Sequence, residues 1–429
     1  MAVRAAIFHT PRPGQLETLA DALIEIDAAG VITAVGPATP ERLARTVDVT
    51  IQLPAHHYLL PGFIDLHVHA PQWPQTGRAL DVPLEEWLQV HTFPLEARYA
   101  DTAFAREVYS DLVPSLLAQG TTTALYFATI HVEASIALAE ICLALGQRAL
   151  IGKVAMDAPD ECPGFYRDAC AEDAIRDTRE VINRIRALTP DANPLVQPVI
   201  TPRFLPSCSF ELLKELGVLA AQTGARVQTH CSESPWEVAH GQARFGKSDV
   251  AALADFGLLR EHTVLAHGNF VNDPDRRHIH HAGAAIAHCP LSNAYFAGRI
   301  LPLREMLDEG LHLGLGSDLA GGHSPSILDA ARMAITASRM REAGDGGPIN
   351  AVEAFWLATA GAAEALGLPV GHFAPGMEFD ALVIDTTGPE RIAWPALDSP
   401  IQILEKIIRR AGRANIRKVW VRGREVTGA

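Results

Sequence analysis

Short apolar segments alternate with longer amphipathic segments along the chain from about Leu59 onward. The apolar segments have the length of strands, and several end in Gly, Pro or charged residues that favour turns. Eight such candidate strands follow one another: LLPGFIDLHVH, TTTALYFATI, RALIGKVAMD, LVQPVITPRF, ARVQTHCSE, TVLAHG, AAIAHCP and LHLGLGSD.

The segments between these strands have apolar residues at helical spacing. AREVYSDLVPSLLAQG, EDAIRDTREVINRIRAL and SFELLKELGVLAAQTG are examples, and a terminal glycine, as in the first and third, is typical of a helix C-cap. Eightfold alternation of strand and helix predicts an α/β fold of the (β/α)8 TIM-barrel type rather than an open sheet.

The two ends of the chain have a different pattern. ALIEIDAAGVITAVG near the start, and FDALVIDT and RKVWVRGREV near the end, read as short strands with turns. Neither end is long enough for a core of its own, so we expect them to pair in a small β-sandwich module. The predicted domains are residues 1–58 and 375–429 for this module and residues 59–374 for the barrel.

Composition narrows the choice of partners and compartment. The 429 residues are 48% hydrophobic and 20% charged, which is typical of a globular protein. The formal net charge of -14 disfavours nucleic acid and anionic membranes as partners. The start of the chain lacks a signal-peptide core and the six cysteines are scattered, so we expect a cytoplasmic protein with reduced thiols.

The first candidate strand, PGFIDLHVHAPQ, is apolar on one side and polar on the other. Successive side chains of a strand point to opposite faces. One face carries Ile64, Leu66 and Val68. The other face carries Asp65, His67 and His69.

Metal-ligand side chains also lie at the ends of four later strands. The fifth strand ends on His230, with Glu233 three residues beyond, and the next three end on His267, His288 and Asp318. The carboxyl ends of barrel strands form the active face, so we expect these residues and the two histidines of the first strand to converge.

Imidazole nitrogen and carboxylate oxygen are typical ligands of zinc. Three histidines and one aspartate, His67, His69, His230 and Asp318, make a plausible ligand set for a catalytic ion that activates water for hydrolysis. Any single histidine could instead have a core or surface role, but ligand side chains at several separate strand ends favour a metal site. A structural zinc site is disfavoured because such sites usually contain several cysteines.

Two other histidine patterns are less convincing as metal sites. RRHIHH, with His278, His280 and His281, has charged neighbours and no apolar strand, which favours a solvated helix. HVE at His131 resembles the start of the base-deaminase zinc signature, but no P-C-x-x-C follows it. We expect His131 to lie near a strand end without binding the metal.

The whole chain resembles the amidohydrolase superfamily and, within it, the guanine deaminase family. The shared segments include PGFIDLHVHAPQ, PLEEWLQVHTFPLEARY, VITPRFLPSCS, THCSE, AHCPLSN and GLGSDLAGGHSPSILDAAR, in the same order. HAPQ, TPRF and HCPxSN together are the specific part of this resemblance. Leu291 departs from the family, in which asparagine often follows HCP.

The resemblance implies hydrolytic deamination of guanine to xanthine and ammonia, with one zinc ion per chain and a homodimeric assembly. It implies His67, His69, His230 and Asp318 as zinc ligands and Glu233 as the proton shuttle. It also implies that the purine is held by His69, Ala70, Gln72, Arg203, Phe204, His230, Glu233 and Asp318.

The chemistry of deamination agrees with these roles. A carboxyl group must move protons to a ring nitrogen and to the leaving amine, and Glu233 is placed for this. Asp318 can accept a proton from the attacking water, and His267 can hydrogen-bond the oxygen on which charge develops. The planar fork of Arg203 suits a purine carbonyl and its neighbouring nitrogen.

These residues also have less specific interpretations. Glu233 could begin a helix, because SESPWE is a fair cap sequence. Arg203 could form a surface ion pair, and Phe204 could simply pack in the core. We expect Asp65 to orient one of the ligand histidines.

The sequence also bears on the number of metal ions and on the choice of substrate. Two-metal relatives use a carboxylated lysine at the end of the fourth strand, which here ends VITPRF, while Lys153 lies on the third. A single ion is therefore expected. The remaining alternatives are a sibling enzyme acting on another heterocycle, such as 8-oxoguanine or a triazine, and a non-catalytic scaffold.

Overall fold

The computed structural model describes residues 1–46, 51–191, 193–341, 347–388 and 390–427. The strands are β1 (Ala2–Arg12), β2 (Gln15–Ile26), β3 (Ile32–Pro37), β4 (Ile51–Gln52), β5 (His57–Pro61), β6 (Phe63–His69), β7 (Thr121–Phe127), β8 (Arg148–Gly152), β9 (Val154–Ala155), β10 (Val196–Pro202), β11 (Arg226–Cys231), β12 (Val264–His267), β13 (Ala285–His288), β14 (His312–Leu315), β15 (Ala381–Asp385), β16 (Ile416–Val421) and β17 (Arg424–Glu425).

The α-helices are α1 (Pro40–Arg45), α2 (Leu84–Trp87), α3 (Phe93–Ala97), α4 (Thr102–Ala118), α5 (Val132–Leu145), α6 (Ala171–Leu188), α7 (Phe210–Thr223), α8 (Pro235–Phe245), α9 (Asp249–Asp255), α10 (Asp273–Ala282), α11 (Pro290–Ser292), α12 (Leu303–Asp308), α13 (Ile327–Met340), α14 (Ala351–Leu357), α15 (Ala360–Leu366) and α16 (Pro400–Arg410). Shorter helical turns lie between several of them, among them Ala70–Gln75 directly after β6.

Eight parallel strands form the barrel, in the order β6, β7, β8, β10, β11, β12, β13 and β14. Hydrogen bonds between the first strand and the loop after the last one close the ring. The amide of Asp318 donates to the carbonyl of His67 and the amide of His69 donates to the carbonyl of Leu319, both at 2.9 Å. The predicted (β/α)8 barrel is therefore confirmed.

Strand β6 does not alternate as strictly as its sequence suggests. Its pairing with β7 is irregular, because three steps from Asp65 to Val68 on β6 span only two residues of β7. Ile64 and Leu66 pack with apolar residues of neighbouring strands and of α15, whereas Val68 packs in the cluster that includes α4 and α5. The extra residue explains the change of face, because a one-residue bulge reverses the alternation on one side of it.

The third barrel strand is interrupted at Lys153. The predicted strand RALIGKVAMD consists of β8 and β9, and the buried Lys153 lies between them. Its ammonium group donates to Asp168 Oδ1 at 2.5 Å and to the carbonyl of Val154 at 3.0 Å. A buried ammonium needs such partners, so the side chain of Lys153 is committed to this ion pair.

The helix α7 shows how local sequence sets the helix ends around the barrel. Ser209 precedes the helix, and its hydroxyl oxygen accepts a hydrogen bond from the amide of Leu212. Gly224 follows the helix with φ +64°, a left-handed conformation that glycine adopts at little cost. The serine and the glycine therefore cap the two ends, and the sequence predicted the glycine cap.

Both chain ends contribute strands to one sheet outside the barrel. Its order is β17, β16, β15, β5, β1, β2 and β3, with β4 beside β1. The central strand β5 pairs with the N-terminal β1 and the C-terminal β15, so neither end forms this sheet alone. Its apolar face includes Val3, Ile24, Leu59, Val383 and Trp420. The module built from both ends is confirmed, while the boundaries at 58 and 374 stay a prediction.

A buried ion cluster joins the barrel to this module. Arg148, the first residue of β8, is fully buried, and its guanidinium donates to Glu378 at 2.5 Å and to Asp380 at 3.1 and 3.2 Å. Arg422 donates to the same Glu378 at 2.9 Å. The negative charges of two carboxylates therefore balance the positive charges of two guanidinium groups at this junction.

Two further features concern possible membrane spans and the cysteines. In the described parts of the chain, no helix has both the length and the apolar character needed to cross a bilayer. All six cysteines are free thiols, and five of them are buried.

Candidate active site and metal centre

Four side chains from three strand ends meet at the carboxyl end of the barrel. His69 Nε2 lies 3.0 Å from His230 Nε2, and Asp318 Oδ1 lies 3.2 Å from His67 Nε2 and 3.5 Å from His69 Nε2. Ligand atoms held tetrahedrally at about 2.0–2.1 Å from one ion lie about 3.3 Å apart. The separations therefore fit a single divalent ion such as zinc.

The protonation of His230 leaves one nitrogen available to a metal. Its Nδ1 lies 2.6 Å from the carbonyl oxygen of Arg203, which can only accept a hydrogen bond. Nδ1 therefore carries the proton and Nε2 carries the lone pair, facing His69 Nε2 at 3.0 Å. His67 Nε2 is buried and lacks a hydrogen-bond partner within the described chain. A cation between these nitrogens would satisfy them.

Burial favours the states that bind metals. It lowers the pKa of His67, His69 and His230, so that their rings are neutral at neutral pH. Burial by itself would favour the neutral form of Asp318, but the ring of His67 outweighs it and lowers the pKa of this carboxyl. Three neutral imidazoles and one carboxylate result.

Cys289 is a further group within reach of the cluster, and no sequence pattern had pointed to it as a ligand. Together with His67, His267 and Asp318 it forms a second group of four closely spaced ligand atoms. Burial raises the pKa of its thiol well above the usual value, and Sγ lies 3.4 Å from the carbonyl of Ala287. A protonated thiol is a poor ligand, so the set with three histidines fits an ion better.

Glu233 reaches the site from the loop between β11 and α8. Its carboxylate is buried, and Oε1 lies 3.6 Å from His267 Nε2. Burial and the nearby Asp318 raise its pKa well above the usual value, which favours a protonated side chain that can donate. The helix cap is formed by Ser234 and not by Glu233, because the hydroxyl oxygen of Ser234 accepts from the amide of Glu237 at 3.2 Å. The side chain of Glu233 is thus not needed to start α8.

His267 is held by two asparagines that sequence reasoning did not single out. Its Nδ1 lies 3.0 Å from Asn293 Oδ1, which also accepts from Asn269 Nδ2 at 3.0 Å. Nδ1 therefore carries the proton, and Nε2 is directed to Glu233 at 3.6 Å and to Asp318 at 3.8 Å. His267 is fully buried, so these contacts fix its ring at the edge of the cluster.

Backbone strain also marks this end of the barrel. His267 has φ +72° and Asp318 has φ +48°, and a positive φ is unfavourable for residues other than glycine. Strained residues persist where the surrounding structure holds them, and they cluster at functional sites. Both strained residues lie in the cluster of ligand side chains.

A cavity opens beside the cluster. It is lined by His69, Gln72, Leu84, Trp87, Leu88, Arg203, Phe204, His230, Glu233, Ser292, Phe296, Asp318 and Gly321. Gln72, Arg203 and Phe204 are therefore brought together with the candidate ligands and Glu233. Ala70, expected beside the purine, is fully buried and is not among the lining residues.

The other histidines lie apart from this cavity. His288 does not converge with the cluster as expected but lines a separate cavity with Asn293 and Met333, and burial lowers its pKa to about 3. His278, His280 and His281 are exposed on α10, as the sequence predicted. His131 lies just before α5 and does not line the cavity.

Asp65 contacts the main chain and not an imidazole ring. Its Oδ1 accepts hydrogen bonds from the amides of His67 at 3.1 Å and Ser317 at 2.9 Å, and burial raises its pKa to about 6. It therefore fixes the backbone between the first and last strands. Leu291, the departure from the family pattern, is buried in α11 close to Gly322.

Several contacts of the site could not be found by reading strand ends. Phe127 packs its ring against His67, His69 and His230, with centroids 4.7–4.9 Å apart. Trp87 and Phe296 meet at 5.4 Å between centroids on the wall of the cavity. Glu96, on the short helix α3, is fully buried and bonds both Gln72 and Arg203. Only its place in a shared family segment, PLEEWLQVHTFPLEARY, drew attention to this part of the chain.

Comparison with known proteins identifies the family. The model of the amidohydrolase family matches residues 58–426. This chain belongs to the amidohydrolase family. It is 37% identical to the probable guanine deaminase of Schizosaccharomyces pombe, over 98% of this amidohydrolase and 82% of the relative, and 36% identical to the guanine deaminase of Dictyostelium discoideum, over 99% and 97%.

A solved structure is similar to the amidohydrolase over its whole length. The guanine deaminase of C. acetobutylicum, with guanine bound in its active site, superposes with a TM-score of 0.92 at 30% identity and covers 99% of each chain. Amidohydrolases are typically metal-dependent, and the buried histidines and Asp318 of this one could hold an ion.

Proposed function

We propose that this amidohydrolase hydrolyses guanine at C2 to give xanthine and ammonia, with one zinc ion per chain. The observation that carries the proposal is the cavity in which Gln72, Arg203 and Phe204 lie next to the His/Asp cluster and Glu233. A relative of 30% identity and nearly equal length binds guanine in its active site, which supports a purine in this cavity.

His67, His69, His230 and Asp318 would hold the zinc ion. Their neutral rings and three separations of 3.0–3.5 Å, from His69 to His230 and from Asp318 to His67 and His69, support this assignment. When bound, the ion would lower the pKa of a coordinated water and so make it a nucleophile at neutral pH. Lys153 is paired with Asp168, which supports a single ion and not a two-metal site.

Glu233 is the proposed proton shuttle. Its raised pKa allows it to hold a proton at neutral pH, and it lines the cavity where the base would lie. It would donate this proton to a ring nitrogen as water adds to C2, take up a proton from the added water, and pass it to the amino group as ammonia leaves and the C2 carbonyl forms. General acid–base catalysis of this kind contributes about 10²–10⁴-fold.

Asp318 and His267 would assist the water. The lowered pKa of Asp318 makes it a carboxylate, which can accept a proton from the attacking water. His267 directs Nε2 to both Asp318 and Glu233, since its Nδ1 is held by Asn293. With its proton on Nδ1, the ring presents the Nε2 lone pair, which can accept a hydrogen bond from the attacking water.

A guanidinium group, a side-chain amide and an aromatic ring would recognise the purine. Arg203 is buried, and its guanidinium can donate to the 6-carbonyl and to an adjacent ring nitrogen acceptor. Gln72 has both donor and acceptor groups for the edge of the base. Phe204 supplies an apolar face, packed against Trp236 at 5.8 Å between centroids. The backbone near Ala70 is a further proposed contact, which is not among the cavity-lining residues.

The setting of the reaction belongs to the same proposal. Hydrolysis of a free purine base is a step of purine catabolism or salvage, and it requires neither nucleic acid nor a membrane. A homodimer in the cytoplasm is the proposed assembly and compartment.

The alternative is a sibling activity on another aminated or halogenated heterocycle. The metal ligands and Glu233 would serve such substrates equally well, so only the purine-recognising side chains discriminate between them. A non-catalytic scaffold is disfavoured, because the chain retains the full ligand set and the shuttle side chain.

A substrate panel tests this choice. The zinc-loaded protein is incubated with guanine, 8-oxoguanine, adenine, cytosine and a chlorinated triazine, and the loss of each is followed by ultraviolet absorbance. We expect the largest kcat/KM for guanine. A larger value for any other compound would assign the site to that substrate class instead.

A further inference from the structure

Glu96 lies behind the side chains that form the cavity wall. It is on α3 and fully buried, and it is not among the residues that line the cavity. Its carboxylate nevertheless contacts two side chains that do line it, Gln72 and Arg203. Three separate segments of the chain therefore meet at this carboxylate.

The contact with Arg203 is a two-pronged ion pair. Arg203 Nη1 donates to Glu96 Oε2 at 2.7 Å and Nη2 donates to Oε1 at 3.2 Å. The guanidinium carbon also lies 4.9 Å from the ring centroid of Phe93, on the same helix as Glu96. A planar guanidinium held at one edge and on one face has a single orientation, and its other N–H groups, which make no hydrogen bond within the described chain, can face the cavity.

The contact with Gln72 fixes which end of its amide is the donor. Gln72 Nε2 donates to Glu96 Oε1 at 2.8 Å, while Oε1 accepts from the amide of Ala320 at 3.2 Å. A carboxylate accepts only and a main-chain amide donates only. A flipped amide would place its oxygen against the carboxylate of Glu96 and its NH2 group against the N–H of Ala320. Both contacts therefore favour the observed orientation.

From this geometry we infer that Glu96 is a positioning residue that sets the order of donors and acceptors facing the substrate. The inference rests on the proposed function and deepens it, because it names what makes the pocket select a 6-oxopurine. Arg203 presents donors to the 6-carbonyl in one fixed orientation, and Gln72 presents its remaining N–H and lone pair in one fixed order. Without Glu96 the guanidinium would be buried next to the candidate metal site without its counter-charge.

The test compares two bases that differ at C6, the position recognised by Arg203, and in the proton that guanine carries on the neighbouring N1. Guanine has a carbonyl at C6, and 2-aminopurine has the same amino group at C2 but hydrogen at C6. For the wild type and for Glu96→Gln, the KM and kcat for guanine and the inhibition constant of 2-aminopurine are measured. Zinc content and the thermal unfolding temperature are recorded for both proteins.

We expect Glu96→Gln to weaken recognition of the 6-carbonyl. The KM for guanine should rise roughly ten-fold or more, because the substituted amide no longer orients the guanidinium, with a smaller fall in kcat. The inhibition constant of 2-aminopurine should change by less than about three-fold, so the preference for the 6-oxopurine falls. A merely structural role would weaken both bases alike.

Glu353→Gln is the matched control. Glu353 is also buried, accepts from Arg304 Nη2 at 2.6 and 2.7 Å and from the amide of Asn350, and lies in the first turn of α14, away from the cavity. It should leave the preference for guanine over 2-aminopurine unchanged. If Glu96→Gln does not fold, Glu96→Asp is measured instead, because its shorter carboxylate cannot reach both partners and should lower the same preference.

The outcomes separate the two proposals. A wild type that does not deaminate guanine overturns the proposed function. A wild type that does so, with a folded Glu96 variant that retains the full preference for guanine, overturns the positioning role of Glu96.

Discussion

Nδ1 of His230 lies 2.6 Å from the carbonyl oxygen of Arg203. A main-chain atom of a candidate purine-binding residue therefore sets the tautomer of a candidate metal ligand. The backbone carbonyl of Arg203 contacts a candidate metal ligand, whereas its guanidinium lines the cavity proposed to hold the substrate. The two tasks of Arg203 should thus be separable by substitution.

Arg203→Lys tests this separation. The main-chain carbonyl remains, so the zinc content should stay near that of the wild type. A lysine cannot form the two-pronged contact with Glu96 or present a planar fork, so kcat/KM for guanine should fall roughly ten-fold or more. Metal analysis and steady-state kinetics on the same preparation check both halves. Loss of zinc in this variant would contradict the separation.

The metal content is a second prediction. The protein should contain one zinc ion per chain, measured by inductively coupled plasma mass spectrometry after dialysis. His230→Ala should lose most of it, because one nitrogen of the cluster is removed. The control His278→Ala, at an exposed position on α10, should keep it. Two ions per chain in the wild type would contradict the single-ion site.

Glu233→Gln should remove catalysis and leave the metal. The amide cannot exchange protons with the base, so kcat should fall by about 10²-fold or more. Zinc content should stay near one ion per chain, since Glu233 is not one of the proposed ligands. Glu133→Gln, an exposed partner of Arg184, serves as the control and should turn over guanine normally. Unchanged turnover in the Glu233 variant would remove that residue from the mechanism.

The free energy of unfolding should depend on pH partly through Asp385, which lies on β15 in the sheet outside the barrel. Burial raises its pKa, but hydrogen bonds from Thr387 and the Arg417 guanidinium outweigh this and lower it to about 2. The folded pKa is below the unfolded one, so the carboxylate stabilises the fold above about pH 4, and this contribution is lost as pH falls toward 2. Because Arg417 is about half exposed and solvent screens its charge, this contribution should be at most about 2 kcal/mol at neutral pH.

Urea unfolding of Asp385→Asn from pH 7 to pH 3.5 measures this contribution. The difference from the wild type should be constant near neutral pH and shrink below about pH 4. Asp21→Asn, which breaks an exposed contact with Arg4, should have little effect at any pH. A difference that grows as the pH falls would contradict the lowered pKa of Asp385.

Much of the fold and of the metal cluster could be predicted because strand ends carry local signals. His67, His69, His230 and Asp318 each end or follow an apolar strand, and barrel topology brings such ends together. The expectation for His288 was wrong, although the local pattern is the same. Strand β13 ends there, but the side chain lies in a separate cavity.

What the sequence did not predict depends on contacts between distant segments. Glu96 matters because α3 places it between Gln72 and Arg203, which are separated from it by 24 and 107 residues. The bulge in β6 depends in the same way on its pairing with β7, and the contact of Asp65 with the amide of Ser317 depends on the loop after the last barrel strand. No periodicity within one segment carries this information.

The products of guanine turnover test the central claim most directly. Zinc-loaded protein is incubated with guanine, and xanthine and ammonia are quantified in the same reaction by chromatography and an enzymatic ammonia assay. We expect both to accumulate in equal amounts as guanine disappears, and we expect Glu233→Gln to produce neither. Unchanged guanine in the presence of the loaded wild-type protein would contradict this expectation.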